Sequence, residues 1–268
     1  MSDPVEKQLY AAAEDGRVAE VSSLLRNHPE INVNWTNPDK YQWAALHIAS
    51  LDGQVEVVKL LLAHPGINVN LKDWKGQTPC SLACEFGREL VVELLLKDPR
   101  VDITLDDDGR TPLWWASWSG KHQVIEWLIA SDRDLGDVKC YTALEIARKR
   151  NKTEAVSVLE RFMANPMQTR HEVRVKLGVL DALAAEVFAL TVFLCDDLLH
   201  LKPASNPAAT SNPAAAATRF FAITSRLPME LQMILCHRAV GSMKRNILRL
   251  DSEPAFKSLA RMLLLGLS

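Results

Sequence analysis

An all-α solenoid of helix pairs, followed by a C-terminal helical region, is the fold this sequence predicts, and three observations carry it. First, Leu46 to Leu62 describes two short helices back to back, with Leu46, Ile48, Ala49, Val57, Val58, Leu60 and Leu61 on an apolar face and Gly53 as the break. Helices of about ten residues do not hold alone in water, so each needs a neighbour to cover that face. Second, the neighbour is the same pattern again: Ala83, Gly87 and Val91-Val92-Glu93-Leu94-Leu95-Leu96, then Ala116, Gly120 and Val124-Ile125-Glu126-Trp127-Leu128-Ile129. Third, Gly16, Gly53, Gly87, Gly120 and Asn151 stand 37, 34, 33 and 31 residues apart. That is the period of a stacked helical array rather than of a single globular core.

Taken in order, the first unit is carried by Leu9, Ala12, Ala13, Gly16, Val21, Leu24 and Leu25, with polar Ser22 and Ser23 where later units have aliphatics. A terminal repeat whose outer face meets water reads this way. The long connection His28 to Gln42 accounts for the spacing of 37. Units two, three and four follow, and the fifth has Asn151 for the glycine and a basic run, Arg148-Lys149-Arg150, closing its first helix.

Thr78-Pro79, Thr111-Pro112-Leu113 and Leu46-His47-Ile48-Ala49 are pieces of a Thr-Pro-Leu-His-x-Ala helix start. On these motifs the chain resembles an ankyrin-repeat protein over residues 4 to 162, in five units. The resemblance implies a stack of helix pairs with hairpin-like loops at Ile31-Asn32-Val33-Asn34, Ile67-Asn68-Val69-Asn70 and Val101-Asp102-Ile103-Thr104, and a function in protein binding. The sequence departs from the pattern at the histidine slot, where His47 is matched by Ser81, Trp114 and Glu145, so the threonine-to-histidine bonding of the family is expected to be mostly absent.

Beyond the array at 1–165, apolar residues recur at helical spacing from Thr169 to Leu201, as one long amphipathic helix or two with a break near Gly178. We expect residues 166–201 to cap the array. Residues 202–218, rich in Pro, Ala and Asn, read as a flexible linker, and 219–268 as a small C-terminal helical segment. Within it, Leu227-Pro228-Met229-Glu230-Leu231 with Ile234-Leu235 resembles the start of an F-box, the helical module that docks adaptors onto ubiquitin-ligase scaffolds. The same residues also make an ordinary helix start with Pro in its first turn.

Residues 1–165 carry 19 basic and 25 acidic side chains, leaving 12 and 8 for the remainder. An acidic array lacks the basic stripe of a general nucleic-acid binder, so no nucleic-acid partner is expected. Five cysteines at irregular positions fit free thiols in a reducing compartment, cytoplasmic or nuclear. The N-terminus shows no basic-then-apolar export signal, and the apolar run Val187 to Cys195 is too short for a bilayer, so no membrane partner is expected.

Sought chemistry is not found, and the expectation is no enzyme, no cofactor and no metal. No phosphate loop, His-Glu-x-x-His or Gly-x-Ser-x-Gly occurs. Cys80 and Cys84 are spaced as half a metal site without a second ligand pair, and Asp106-Asp107-Asp108-Gly109 lacks the remaining ligands of a calcium loop.

What the resemblance does imply is a binding face, formed by the loop tips and the solvent ends of the first helices. Carried over unit by unit, that face holds Tyr41, Trp43, Leu51 and Asp52; Trp74, Lys75, Gln77, Glu85 and Phe86; Asp107, Arg110 and Trp118; and Tyr141, Lys149 and Arg150. Aromatics mixed with cations and a few carboxylates are what binding hot spots are made of. Trp114, Trp115 and Trp127 are assigned to the core. The expected function is a non-enzymatic interaction scaffold or adaptor for a protein partner, with a ubiquitin-ligase substrate-recognition subunit, bound to a ligase scaffold, as the alternative.

Overall fold

The computed structural model describes residues 4–104, 110–131, 133–135, 137–195, 220–221, 224, 227, 229–242, 244, 247, 251–252 and 254–257. They divide into two compact units, one through Val173 and one from Arg174 onward.

In the first unit the pairs are α1 (Val5–Glu14) with α2 (Val18–Asn27), α3 (Ala45–Asp52) with α4 (Val55–Leu62), and α5 (Pro79–Phe86) with α6 (Glu89–Lys97). They continue as α7 (Pro112–Ser119) with α8 (His122–Ala130) and α9 (Asp137–Lys149) with α10 (Thr153–Ala164). The odd-numbered helices pack each on the next to make an inner row, and the even-numbered ones make an outer row. The difference follows from what each sequence can bury. In α3 every residue from Ala45 to Ser50 is buried, and in α5 every residue from Pro79 to Cys84. The outer helices bury only a stripe, Val57, Val58 and Leu61 in α4 and Val91, Val92 and Leu95 in α6. Ala49, Ala83, Ala116 and Ala147 are fully covered, and their small side chains let neighbouring inner helices approach closely.

Three ladders hold the register from unit to unit. Gln54, Arg88 and Lys121, each following a glycine, and Lys152, following Asn151, lay their side chains over the glycine of the unit before. At Gly87 both demands on glycine are visible: φ is +71°, and a Cβ would sit 2.8 Å from Lys121 Cδ. Asn151 also has positive φ, a conformation that asparagine tolerates better than most residues.

In the loops, the Asn34 amide donates to Gly66 O at 2.8 Å while its oxygen accepts from Asn68 N at 2.8 Å. Asn70 repeats this one unit on, donating to Arg100 O at 2.8 Å and accepting from Asp102 N at 2.9 Å. Thr104 stands at the next equivalent place, where a hydroxyl replaces the amide.

The third ladder is cationic. Arg100 donates to Leu62 O at 2.7 Å, and Arg133 donates to Leu96 O, Asp98 O and Val101 O, covering the carbonyls that end α4 and α6. Arg170, in α11 (Pro166–Lys176), does the same for Ile129 O of α8 at 3.0 Å. The start of α11 thus takes the place that a loop arginine takes in earlier units.

The only strands among the described residues are β1 (Thr36–Asn37) and β2 (Trp43–Ala44), antiparallel with Thr36 opposite Ala44 and Asn37 opposite Trp43.

In the second unit α12 (Val179–Cys195) follows a break at Gly178, so the apolar stretch after Thr169 is two helices rather than one. α12 packs on α13 (Met229–Ala239), where buried Cys236 lies 3.9 Å from the Thr191 hydroxyl, and Phe188 meets Phe256 edge to face. Lys244 pairs with Asp181. The expected linker at 202–218 and much of 219–268 lie outside the described residues.

Candidate interaction surface

The hairpin tips of units two and three build one cluster. Asp73, 6% exposed, is its organiser: Oδ1 accepts from the backbone N–H groups of Lys75 and Gln77, both at 2.8 Å, and Oδ2 accepts from Trp43 Nε1 at 2.9 Å. The same carboxylate therefore turns the unit-three tip and fixes the unit-two indole. Tyr41 stacks on Trp74 with centroids 5.9 Å apart and planes 18° off parallel, and meets Trp43 at 4.9 Å. Trp74 N donates to Tyr41 O at 3.3 Å, which holds Tyr41 at the φ of +55° its position requires. Lys75 Nζ lies 5.6 Å from both the Tyr41 and the Trp74 ring centres. Tyr41 and Trp74 remain 52% and 59% exposed, too much for side chains recruited only to pack.

Behind the tips, His47 joins unit two to unit three. Its Nδ1 accepts from Ala44 N at 3.1 Å, so Nε2 carries the proton and donates to Leu71 O at 2.9 Å. Burial pushes its pKa down to about 4, against the opposing pull of Asp73 and the backbone, and the ring is neutral. Units three and four do without a histidine: Thr78 and Thr111 cap their helices by accepting from Ser81 N and Trp114 N.

A second cluster lies on α7. Trp114 and Trp118, one helical turn apart, stack at 5.1 Å with planes 27° off parallel, and Trp115 meets Trp114 edge to face. The Arg150 guanidinium, from the end of α9, lies 3.4 Å over the Trp118 ring, and Arg110 lies 5.4 Å from Trp114. Between the clusters Phe86 is 43% exposed, and Tyr141 is exposed at the fifth unit with Lys149. Leu51, Asp52 and Glu85 are partly exposed on the same helix ends. Burial raises the Asp52 carboxyl above its ordinary value; Arg88 opposes the rise and Glu14 adds to it. Next to these carboxylates the Tyr10 hydroxyl is buried, has no hydrogen-bond partner among the described residues, and is pushed up to about 12 by burial, then Glu14 and Asp52.

Three assignments change. Gln77 is 4% exposed and donates to Glu85 at 2.7 Å, so it orients a surface carboxylate instead of facing a partner itself. Trp114, Trp115 and Trp127 are half-buried rather than core, because the inner positions they flank are already filled by Leu113, Ala116 and Leu128. Trp114 belongs with Trp118, and their spacing of four on one helix is the sequence signal that shows it. Asp107, with the Asp106 to Gly109 stretch, lies outside the described residues. Cys80 and Cys84 are both buried in α5, with the Cys84 thiol pushed well up by burial and by Cys80, which suits packing better than chemistry. Among the described residues no group of three His, Cys, Asp or Glu stands ready for a metal ion, and no helix is long and apolar enough to cross a membrane.

Comparison with known proteins agrees with the fold. A family model for ankyrin repeats (3 copies) matches residues 5–73 and 68–140. The human SMC5-SMC6 complex localization factor protein 1 is 36% identical over 113 residues, 41% of this chain and 11% of that protein. Mouse ankyrin repeat domain-containing protein 63 is 36% identical over 105 residues, 37% of this chain and 27% of its own length. The Arabidopsis thaliana E3 ubiquitin-protein ligase XBAT33 is 30% identical over 164 residues, 59% of this chain and 30% of its own. The chain thus spans under a third of each of these relatives. The family model covers just over half of the 268 residues, on the helix pairs described above, and the chain belongs to the ankyrin-repeat family, whose arrays serve in protein interaction.

Proposed function

We propose that the chain is a non-enzymatic scaffold or adaptor that grips a protein segment on the face formed by its hairpin tips and inner-helix ends. The observation that carries this is the pair of aromatic clusters, exposed Tyr41 with Trp74 and half-buried Trp114 with Trp118, each with a cation against its rings. Large rigid rings with cationic neighbours gain much on desolvation and lose little side-chain entropy when a partner covers them. The partner is a protein, with no cofactor, nucleic acid or membrane involved, and the compartment is the cytoplasm or nucleus, where buried Cys80, Cys84, Cys140 and Cys236 stay reduced. In this reading the start of α11 seals the fifth unit, with Arg170 over the Phe162 ring and the Thr169 hydroxyl donating to Arg161 O. Trp74→Ala and Trp118→Ala in the tagged full-length chain should leave the circular dichroism spectrum unchanged while depleting the captured proteins identified by mass spectrometry. Capture as complete as that of the unaltered chain refutes the assignment.

A second reading, a substrate-recognition subunit of a ubiquitin ligase, is favoured by the likeness of the array to XBAT33 and to the rice probable E3 ubiquitin-protein ligase XBOS32, 31% identical over 125 residues. The F-box-like residues 227–235 would engage the ligase scaffold at the start of α13, where Met229 and Leu231 are exposed. Pro228 of that motif lies outside the described residues. Failure to co-purify the scaffold's F-box-binding subunit, where a known F-box protein succeeds, eliminates this reading.

A further inference from the structure

The two residues that precede Gly16, Gly53, Gly87, Gly120 and Asn151, at the ends of the inner helices, form a row along the proposed binding face, and the row changes charge from one end to the other. It begins with Glu14 and Asp15, passes Asp52 and Glu85, turns aromatic at Phe86 and Trp118, and ends with Lys149 and Arg150. Arg17 pairs with Asp15 at 3.2 Å and Lys40 with Glu14 at 3.6 Å, while Arg88 Nε is held by Leu51 O at 2.7 Å, so Asp52 and Glu85 carry the acidic half of the row toward a ligand. At the other end Arg148 is drawn to Glu160 at 2.6 Å, while the Arg150 guanidinium, whose forked N–H groups suit a carboxylate, lies 3.4 Å from the centre of the Trp118 ring.

Resting on the interaction reading above, we infer that the occupant of this face is an extended peptide segment of segregated charge. Its Lys or Arg residues lie against Asp52 and Glu85, an aromatic or apolar centre lies over Phe86 and Trp118, and its Asp or Glu residues lie against Lys149 and Arg150. Inner helices stand about 10 Å apart, so the row spans on the order of 40 Å, which an extended chain at about 3.3 Å per residue covers in about 12 residues. The raised Asp52 carboxyl agrees with this, since a cation brought beside it removes the cost of its burial and of Glu14's proximity. Segregation also excludes an evenly basic or evenly acidic ligand, because half its length would meet like charge.

The test pans a displayed random peptide library of about 12 residues on the immobilised full-length chain, and measures enriched peptides by fluorescence polarisation against Lys149→Glu/Arg150→Glu, Trp118→Ala and Trp74→Ala. Enriched sequences should place basic residues at one end and acidic residues at the other around an aromatic or apolar centre. The charge-reversed variant should bind them about tenfold more weakly and recover when the peptide's acidic residues are changed to lysine. Enriched sequences without segregation, or affinity indifferent to the charge reversal, overturn the inference; if Trp118→Ala still abolishes binding in that case, the interaction reading stands. Binding that survives both tryptophan variants, or no enrichment at all, removes both.

Discussion

Acidification from about pH 7 to about pH 4 should loosen the array between its second and third units, and His47 sets the size of the effect. The ring is fully buried, with Nδ1 accepting from Ala44 N and Nε2 donating to Leu71 O, so the folded chain holds it neutral. A second proton has to break the Ala44 bond and place a cation in a dry site. The folded pKa is about 4 against an ordinary 6.5. Between those values the unfolded chain binds the proton and the folded chain does not, so stability is fully present above 6.5, falls as pH drops, and stops falling near 4. At about 1.4 kcal/mol per pH unit, the loss totals roughly 3 kcal/mol. Urea unfolding followed by tryptophan fluorescence across this range, with native-state hydrogen exchange to localise the loss, measures it directly. His47→Gln cannot titrate, and the difference between the two pH profiles isolates the imidazole from carboxylates such as Asp98, whose pKa is held down chiefly by its hydrogen bond to Arg100 in both proteins. Equal slopes for the two proteins would show that His47 is not the proton-sensitive joint.

Other perturbations test the framework and the tips. Gly87→Ala should cost about 1–2 kcal/mol in a denaturant melt, since it adds left-handed strain and drives a Cβ against Lys121, whereas Asn151→Gly should gain a few tenths. Trp43→Phe keeps the ring but removes the bond to Asp73, and should cost about 1 kcal/mol while weakening partner capture through a displaced tip. Asn70→Ala removes two rungs of the loop ladder at once, for about 1 kcal/mol at this half-buried site, with faster hydrogen exchange at Asp102 N. Gln42→Gly relieves a non-glycine residue at φ +56° and should raise the melting temperature, by about 1 kcal/mol of stability, without loss of binding.

The periodic part of the structure is legible because every unit solves one problem with the same letters. Glycine must stand where the next unit's side chain crosses, alanine where inner helices touch, and aliphatics along the outer stripe, so the spacing of Gly16, Gly53, Gly87 and Gly120 already locates the helix pairs. The loop ladder is visible in principle, as Ile-Asn-Val-Asn recurs at Ile31 and Ile67, but nothing local says that the second asparagine bonds forward to the next unit. The arginine ladder is hidden because nothing local says that Arg100 and Arg133 reach back to the helix end of the preceding unit, and Arg170 reaches its carbonyl from a helix rather than a loop. On the proposed face, the ankyrin resemblance points to Tyr41, Trp74 and Phe86 as outward-facing, and all three are exposed. It misplaces Trp114, since a large indole reads as core until its partner at Trp118 is noticed. It misplaces Gln77 for the opposite reason: a polar side chain reads as surface, yet the Asp73 turn draws it inside, where it finds Glu85.

The division of labour between framework and face explains how such a surface is maintained. All three ladders end on backbone groups or lie over glycine, so their geometry depends little on what stands at the tips and inner-helix ends. Those positions are then free to carry side chains that do nothing for folding or work against it. Tyr41 and Gln42 both sit at positive φ, where a non-glycine residue costs on the order of 1 kcal/mol each, and Tyr41 spends that strain presenting a ring that is half in water. A glycine pair would make the same turn with less strain. That the chain instead holds tyrosine there, locks it to Trp74 N and stacks it on the Trp74 ring is physically intelligible if the ring's missing neighbour arrives from another molecule.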